Sequence, residues 1–524
     1  MNFRFFSPKR SFNAMPSPHL TDPSQETYMS TSSISTKLEE NRSEIETIFS
    51  ECADFTVESW SYGPYMEYRA FSCYFTTLIQ QKKFNFMKET LEDLVSNEGL
   101  ASDSITPKDI ITFFNNNGVS TQTAEIIDSF DDAVRRVLSG DIVIFIGDWD
   151  KALGYKAMGL STRQITEPVT EPVVQGPRMS TIEDMNSNIG LIRNLMKSPK
   201  FKIVIVTVGQ ELRREISYGY LEGSVNPETL TEFQRRIADV EKEDIIDTSY
   251  LEEWIGENSI TPFPAVRYTE RPDAAVGALL DGKIIAMVNG SPSILICPVS
   301  FFEFFTTSED YYHRSVFSSL IRSIRFIAFL IALLLPSTYI ALSTFHSELI
   351  PTVLLLALLD TREGIPFPAF FEALLMEFFF ELLREAGLRL PRPIGSAVSI
   401  VGALVIGQAA IQAKIASPVM VIIVSLTGIA SFALPQYNMG IALRILRFPL
   451  MVLAFTLGGF GVMIGILWML LHLTCLRSLG QPYLSPIAPM HFKQLRDIFI
   501  RVSRKKLLES PRNQHRHAVE KERK

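Results

Sequence analysis

Residues 326–345 read FIAFLIALLLPSTYIALSTF and carry no charge. At about 1.5 Å per helical residue, such a run spans a hydrocarbon core of ~30 Å. It does not stand alone. Residues 349–359, 396–413, 415–440 and 448–475 are further uncharged stretches, the first too short to cross by itself. Pro418 and Pro435 punctuate the third. So many apolar stretches in one part of a chain argue against a single buried core helix and predict an all-α polytopic membrane domain over residues 316–480.

The rest of the 524 residues is different material. Charged residues are 20% of the chain and hydrophobic ones 47%, with a mean hydropathy of +0.15. An apolar average that still holds 50 basic and 57 acidic residues implies two materials in series. Disorder throughout is excluded by the apolar content. A collagen-like period is absent. Four cysteines without a C-x-x-C make neither a disulfide framework nor structural zinc. A net charge of −7 argues against nucleic acid as the partner.

Residues 1–40 are rich in Ser, Thr, Pro and Asn and lack an apolar h-region. They are expected to be a disordered tail, not a cleaved signal. Residues 41–135 and 136–315 read as two soluble subdomains. Residues 38–49 and 84–95 have helical spacing, with Phe84, Met87, Leu91, Leu94 and Val95 on one face in the second. IVIFI at 142–146 and KIVIVTV at 202–208 read as strands. Charged helices are expected at 183–197 and 227–242. In residues 274–298, Asp281-Gly282 and Asn289-Gly290 separate three apolar runs, AVGALL, KIIAMV and SILICP. The tight turns these dipeptides favour predict a three-stranded antiparallel meander. The fold class is therefore an α/β (or α+β) cytoplasmic N-terminal region of two subdomains, then the membrane domain. A basic cytoplasmic tail follows at 481–524.

Lys and Arg mark the cytoplasmic side of membrane helices. Arg314, Arg322 and Arg325 precede the first stretch, and the tail holds Arg501, Arg504, Lys505 and Lys506. Both termini are thus expected in the cytoplasm, across four or six crossings. Arg384, Arg389, Arg392, Arg444 and Arg447 do not fall on one side under either count.

Residues 366–388, PFPAFFEALLMEFFFELLREAGL, break the apolar rule with Glu372, Glu377, Glu381 and Glu385. Glu377, Glu381 and Glu385 lie four apart and share a helical face, and Arg384 is near enough to pair. Glu372 sits off that stripe. One reading is an interfacial amphipathic helix with salt bridges. Another is a helix facing a water-filled passage, where repeated carboxylates attract cations. A coupled transporter would also place Glu there, but no inverted repeat is visible. Pro366 and Pro368 push Ile365 and Phe367 out of the α region, so no helix is expected past Gly364, and irregular backbone at this depth must be buried or line water. Two small-xxx-small pairs, Ala403/Gly407 and Gly461/Gly465, favour packing within the chain over a dimer interface.

Chemistry is not signalled. No P-loop, H-E-x-x-H or G-x-S-x-G occurs, and the seven histidines are scattered. Asp148-Trp149-Asp150 reads as a strand-ending turn. The chain is expected not to be an enzyme and to need no cofactor or metal.

Residues 162–199 read TRQITEPVTEPVVQGPRMSTIEDMNSNIGLIRNLMKSP. The membrane part contains IPTVLLLALLDTREGIPFP, FELLREAGLRLPRPIGSAVSIVGALVIGQAAIQAKIASP, RFPLMVLAFTLGGFGVMIG and SLGQPYLSPIAP. Together these resemble the GerA-type spore germination proteins, A-type subunit, over roughly residues 40–490. The soluble motif maps to Arg163, Glu167, Glu171, Gly176, Pro177, Arg178, Asn188 and Arg193. Gln175, Met179 and Asn194 stand where the family often carries charge.

The resemblance implies a subunit of a nutrient-responsive germinant receptor in the spore inner membrane. It implies a homo-oligomer, a pentamer, that releases monovalent cations, with a permease-like B-type subunit and a lipoprotein C-type subunit as partners. Gly364, Ile365 and Pro366 are then expected to form the constriction, and Glu372, Glu377 and Glu381 a cation-attracting vestibule. The alternatives are a paralogue similar to the stage V sporulation protein AF, or a non-conducting membrane scaffold.

Overall fold

The computed structural model describes residues 33–62, 68–80, 82–85, 87, 124–159, 167–168, 170–257, 260–490 and 498–502, without the side chains at 62, 392–394 and 396–400. Most of the helix expected at 84–95, most of both tails, and Arg163 lie outside the described residues.

The first sheet follows helix α1 (Leu38–Ile48) and has five strands, β1 (Phe55–Tyr62), β2 (Tyr68–Phe75), β3 (Ala124–Ile127), β4 (Ile142–Ile146) and β5 (Ala152–Tyr155). Their order is β1-β2-β4-β5-β3. Every residue of β4 is buried, as a continuous apolar run requires. Helix α2 (Phe130–Leu138) is capped by Ser129, whose hydroxyl accepts from the Asp132 amide at 3.2 Å. Because β4 and β5 complete this sheet, its body extends to Ala157, past the boundary expected at 135.

The second sheet has the order β6-β7-β9-β10-β8, from β6 (Phe201–Val208), β7 (Arg214–Leu221), β8 (Arg267–Thr269), β9 (Ile284–Val288) and β10 (Ile294–Cys297). Successive strand residues point to opposite faces, so each face has its own core. Ile284, Ala286 and Val288 face α4 (Pro227–Val240) and α5 (Thr248–Ile255) through Phe233, Ile237 and Leu251. Ile285 and Met287 face α3 (Met185–Leu195) and α6 (Pro272–Leu280) through Ile189, Ile192 and Leu279.

The three-stranded meander is corrected here. AVGALL is not a strand but the body of α6. Pro272 sits in its first turn and Asp273 complements the helix dipole. Asp281-Gly282 is its C-terminal cap: Gly282 adopts φ 79°, and the Lys283 amide returns to the Ala278 carbonyl at 3.0 Å. Only β9 and β10 form the hairpin, around Asn289-Gly290.

The remainder is helical: α7 (Ser315–Thr344), α8 (Thr352–Thr361), α9 (Ala369–Arg389), α10 (Arg392–Gln412), α11 (Pro418–Phe432) and α12 (Tyr437–Cys475). Among the described residues, α7 and α12 are long and apolar enough to cross a membrane. Helix α12 runs through Arg444, Arg447 and Pro449, and so joins the uncharged stretch at 448–475 to the end of the one at 415–440.

Helix α12 is not one rod. Gly458 leaves the helical region (φ 62°, ψ −141°). A side-chain carbon on Gly465 would come within 2.4 Å of Leu450 Cδ2, and one on Gly461 within 2.1 Å of the Leu453 carbonyl oxygen. Residues 15 and 8 positions apart meet only if the chain turns back. The two legs, 437–457 and 459–475, form an antiparallel hairpin, so Gly461 and Gly465 pack within the chain.

Shared cores give the direction of the other helices. The start of α12, the end of its second leg, the end of α11 and Phe329 of α7 share a cluster with Phe301 and Phe305. The end of α7, the start of α9, Ala410, the start of α11 and Met451, Ala454 and Val462 of α12 share a second cluster. Thus α7, α9, α10, α11 and the two legs of α12 alternate in direction, six legs in all. Helix α8 lies by the second cluster and buries no residue.

Candidate functional site

Each glutamate of α9 is paired. Glu372 is buried; it accepts from Arg362 Nη2 at 2.9 Å and from the Ser417 amide at 3.0 Å. Glu377 and Arg447 are each 1% exposed and meet at 2.5 Å. Glu381 takes Arg444 at 3.1 Å and Arg384 at 3.4 Å. Glu385, at the exposed end, pairs with Arg389 at 2.6 Å. A buried ionised carboxylate is costly unless it is paired and hydrogen-bonded, so partners are required.

The pairing is incomplete at the centre. Glu377 Oε1, Arg447 Nε and Arg447 Nη2 meet no hydrogen-bond partner in the protein, and neither does Arg384 Nε. Arg384 instead lies over the Phe380 and Phe432 rings and donates to Ser431 Oγ at 3.1 Å. Two carboxylates and three arginines thus share one neighbourhood, buried at Glu377 and Arg447 and half-buried at Glu381, Arg384 and Arg444.

Residues 362–368 join α8 to α9 as a non-helical turn, as Pro366 and Pro368 require. Gly364 adopts φ 81°. Gly364 and Pro366 are exposed and Ile365 is half-buried. Lys414 crosses this turn, with Nζ 3.4 Å from the Glu363 carbonyl oxygen. A side chain on Gly364 would meet that ammonium at 2.5 Å.

The soluble motif divides into three. Arg178 and Glu167 make a solvent-exposed pair at 3.1 Å, of little energetic weight. Asn188 and Arg193 are buried structural groups of α3. The Asn188 amide donates to the Ile182 carbonyl at 2.6 Å while its oxygen accepts from the Ile182 amide at 2.8 Å. Arg193 clamps Asp54 with two bonds of 2.7 Å. Glu171, Gly176 and Pro177 belong to a loop beside the start of α7. Glu171 accepts from Thr269 Oγ1 at 2.6 Å and from Gln436 Nε2 at 2.7 Å.

The reading from sequence found the four glutamates and the Arg384 pairing. It missed Arg362, Arg444, Arg447 and Gln436 as partners. The available signal was Arg444 and Arg447 beside an apolar run, since ionisable groups in membrane helices seek one another. Among the described residues no cluster of His, Cys, Asp and Glu could hold a metal ion.

The model of the Bacillus/Clostridium GerA spore germination protein family matches residues 43–513. The membrane protein YfkQ of Bacillus subtilis is 40% identical over 385 residues, which is 74% of this chain and 75% of that one. Spore germination protein KA of Bacillus subtilis is 43% identical over 374 residues, 71% and 69% of the two chains. Among solved structures, the N-terminal domain of the A subunit of the Bacillus megaterium spore germinant receptor GerK3 aligns at 22% identity and a TM-score of 0.40. That alignment covers 52% of this chain and 98% of that domain.

Proposed function

Because the chain belongs to the GerA family of spore germination proteins, as an A-type subunit, we infer that it forms the ion-conducting part of a nutrient-responsive germinant receptor. In this reading all six helical legs cross the spore inner membrane, and both termini are cytoplasmic. Several copies, five by the family resemblance, surround one passage for monovalent cations. A permease-like B-type subunit and a lipoprotein C-type subunit complete the receptor. The passage is passive. A nutrient bound elsewhere opens it only by binding the open state more tightly than the closed one.

One observation carries the reading: an apolar helical bundle that keeps four carboxylates on one helix and, at its end, a turn with Gly364 and Pro366 exposed and Ile365 half-buried. The turn is free surface on the single chain, so neighbouring copies can converge there as a constriction. Glu372, Glu377 and Glu381 face arginines in this conformation. They become a cation-attracting vestibule only where those arginines let go, which assigns the paired arrangement to the closed state.

The test is ion efflux from liposomes holding this chain alone, comparing wild type with Ile365→Ala and Glu377→Gln. Cation leakage that rises with the first and changes with the second supports a passage in this subunit. Baseline leakage from all three, with oligomers confirmed, favours the scaffold reading, in which the buried pairs only hold the bundle together.

A further inference from the structure

The loop at residues 170–178 touches the second sheet, the entry to the membrane bundle and the α11–α12 turn at once. Toward the sheet, Glu171 Oε2 accepts from Thr269 Oγ1 of β8 at 2.6 Å, and Arg271 Nη2 donates to the Pro177 carbonyl at 3.0 Å. Toward α7, the amides of Val174 and Gln175 both donate to Glu309 Oε1, at 3.0 and 3.2 Å. Glu309 lies in the short turn just before α7. Gly176 holds φ 123° against the Tyr312 ring, where a side-chain carbon would come within 2.6 Å. Tyr312 in turn donates to Asp273 at 2.5 Å. Toward α12, Glu171 Oε1 accepts from Gln436 Nε2 at 2.7 Å.

Gln436 is the N-cap residue of α12 and is buried. Arg444 and Arg447 follow it on the same helix, about two and three turns along. They hold Glu381 and Glu377 of α9. A helix over three turns moves as a unit, and a hydrogen bond weakens steeply once stretched by about 1 Å. The two oxygens of Glu171 therefore tie β8 to the helix that supplies the partners of the α9 carboxylates.

We propose that loop 170–178 links the second sheet to the membrane bundle, with Glu171 and Gln436 as positioning residues for the Glu377–Arg447 and Glu381–Arg444 pairs. Its consequence for gating rests on the passage reading above; the linkage itself does not. Coupling of this kind is reciprocal: a change at either end must be felt at the other.

The test is backbone hydrogen exchange of the full chain in lipid nanodiscs. Glu171→Ala is expected to raise exchange at least ~5-fold at residues 437–447 as well as at 267–271. Glu171→Gln, which keeps an oxygen acceptor, recovers most of the protection. Gln436→Leu, altered at the far end, raises exchange at 267–271. Unchanged exchange at 216–219 of β7, an interior strand of the second sheet, marks each variant as folded. An effect of Glu171→Ala confined to the loop and β8, or of Gln436→Leu confined to α12, overturns the linkage. Liposome efflux read separately keeps the two readings apart. Linked exchange without efflux from any variant removes the passage and leaves the link; efflux without linked exchange does the reverse.

Discussion

Two buried arginine–carboxylate pairs in this chain are built to different degrees of completion. Arg193 and Asp54 are 0% and 1% exposed, and nearly every polar atom is used. Arg193 gives Nε and Nη2 to the two carboxylate oxygens and Nη1 to the Phe201 carbonyl, while Thr77 donates to Asp54 at 2.8 Å. The guanidinium also lies 4.0 Å from the centre of the Phe75 ring. Arg447 and Glu377 are as deeply buried but share one bond and leave three polar atoms unmatched. The first pair has a single good geometry. The second has unused donors and an unused acceptor, so alternatives lie close in energy. That is what a static joint and a movable one each need.

The comparison breaks most sharply when one partner is removed. Arg193→Ala strands a buried carboxylate and is expected to cost about 3–5 kcal/mol, read as a large drop in the thermal midpoint of the full chain. Arg447→Ala should cost less, since Glu377 already has an unmatched oxygen and two further arginines nearby. Equal losses would mean that the two pairs do the same job.

Removing both partners sharpens the contrast, because here the signs differ. A buried ion pair with poor hydrogen bonding is often improved by apolar side chains of similar volume, by about 1–4 kcal/mol. Glu377→Leu with Arg447→Met is therefore expected to stabilise the bundle and to abolish any nutrient-linked change in cation efflux. Asp54→Leu with Arg193→Met should destabilise, because it also strands the Thr77 hydroxyl and leaves the Phe201 carbonyl with only the weak Cys52 thiol among its side-chain donors. Stabilisation of both double variants would remove the distinction.

The same contrast explains what could be read from sequence. IVIFI and KIVIVTV were legible as strands because a β-branched run needs no distant partner to declare itself. AVGALL was not, since a short apolar run fits a strand or a buried helix, and Pro272 ahead of it was the deciding residue. The turn at 362–368 was legible from its prolines, and the carboxylates from their cost in hydrocarbon. Their partners were hidden by distance: Arg444 lies 63 residues from Glu381, Arg447 70 from Glu377, and Arg193 139 from Asp54. The reversal at Gly458 was hidden because Gly458-Gly459 inside an apolar run looks like any close-packing glycine pair.

That reversal supports the second leg of α12 and carries a moderate expected effect. Gly458 lies against Phe345, where a side-chain carbon would meet its Cβ at 2.9 Å. A non-glycine residue held in such a backbone region costs about 1–3 kcal/mol. Gly458→Leu should lower the thermal midpoint of the detergent-solubilised chain more than Gly459→Leu does. The opposite order would place the fold-back elsewhere.

The smallest effect on stability comes from labelling, yet it decides whether the second pair lies in lipid at all. Burial pushes the Cys52, Cys73 and Cys297 thiols up, so they offer little thiolate and no access. Cys475 is exposed, at the end of the leg that returns toward Phe263 and Thr261. Glu348 is exposed beyond the opposite end of α7. If six legs cross, a membrane-impermeant maleimide should reach Cys475 from one face of sealed vesicles and the Glu348→Cys thiol, in a Cys475→Ser background, from the other. Neither change should alter the stability by more than about 0.5 kcal/mol, since both positions are at the surface. Labelling of both thiols from the same face would reduce the crossings. The Glu377–Arg447 pair, buried among its own helices, would then sit in a bundle that lipid does not enclose, and a vestibule for cations crossing a membrane could not be built from it.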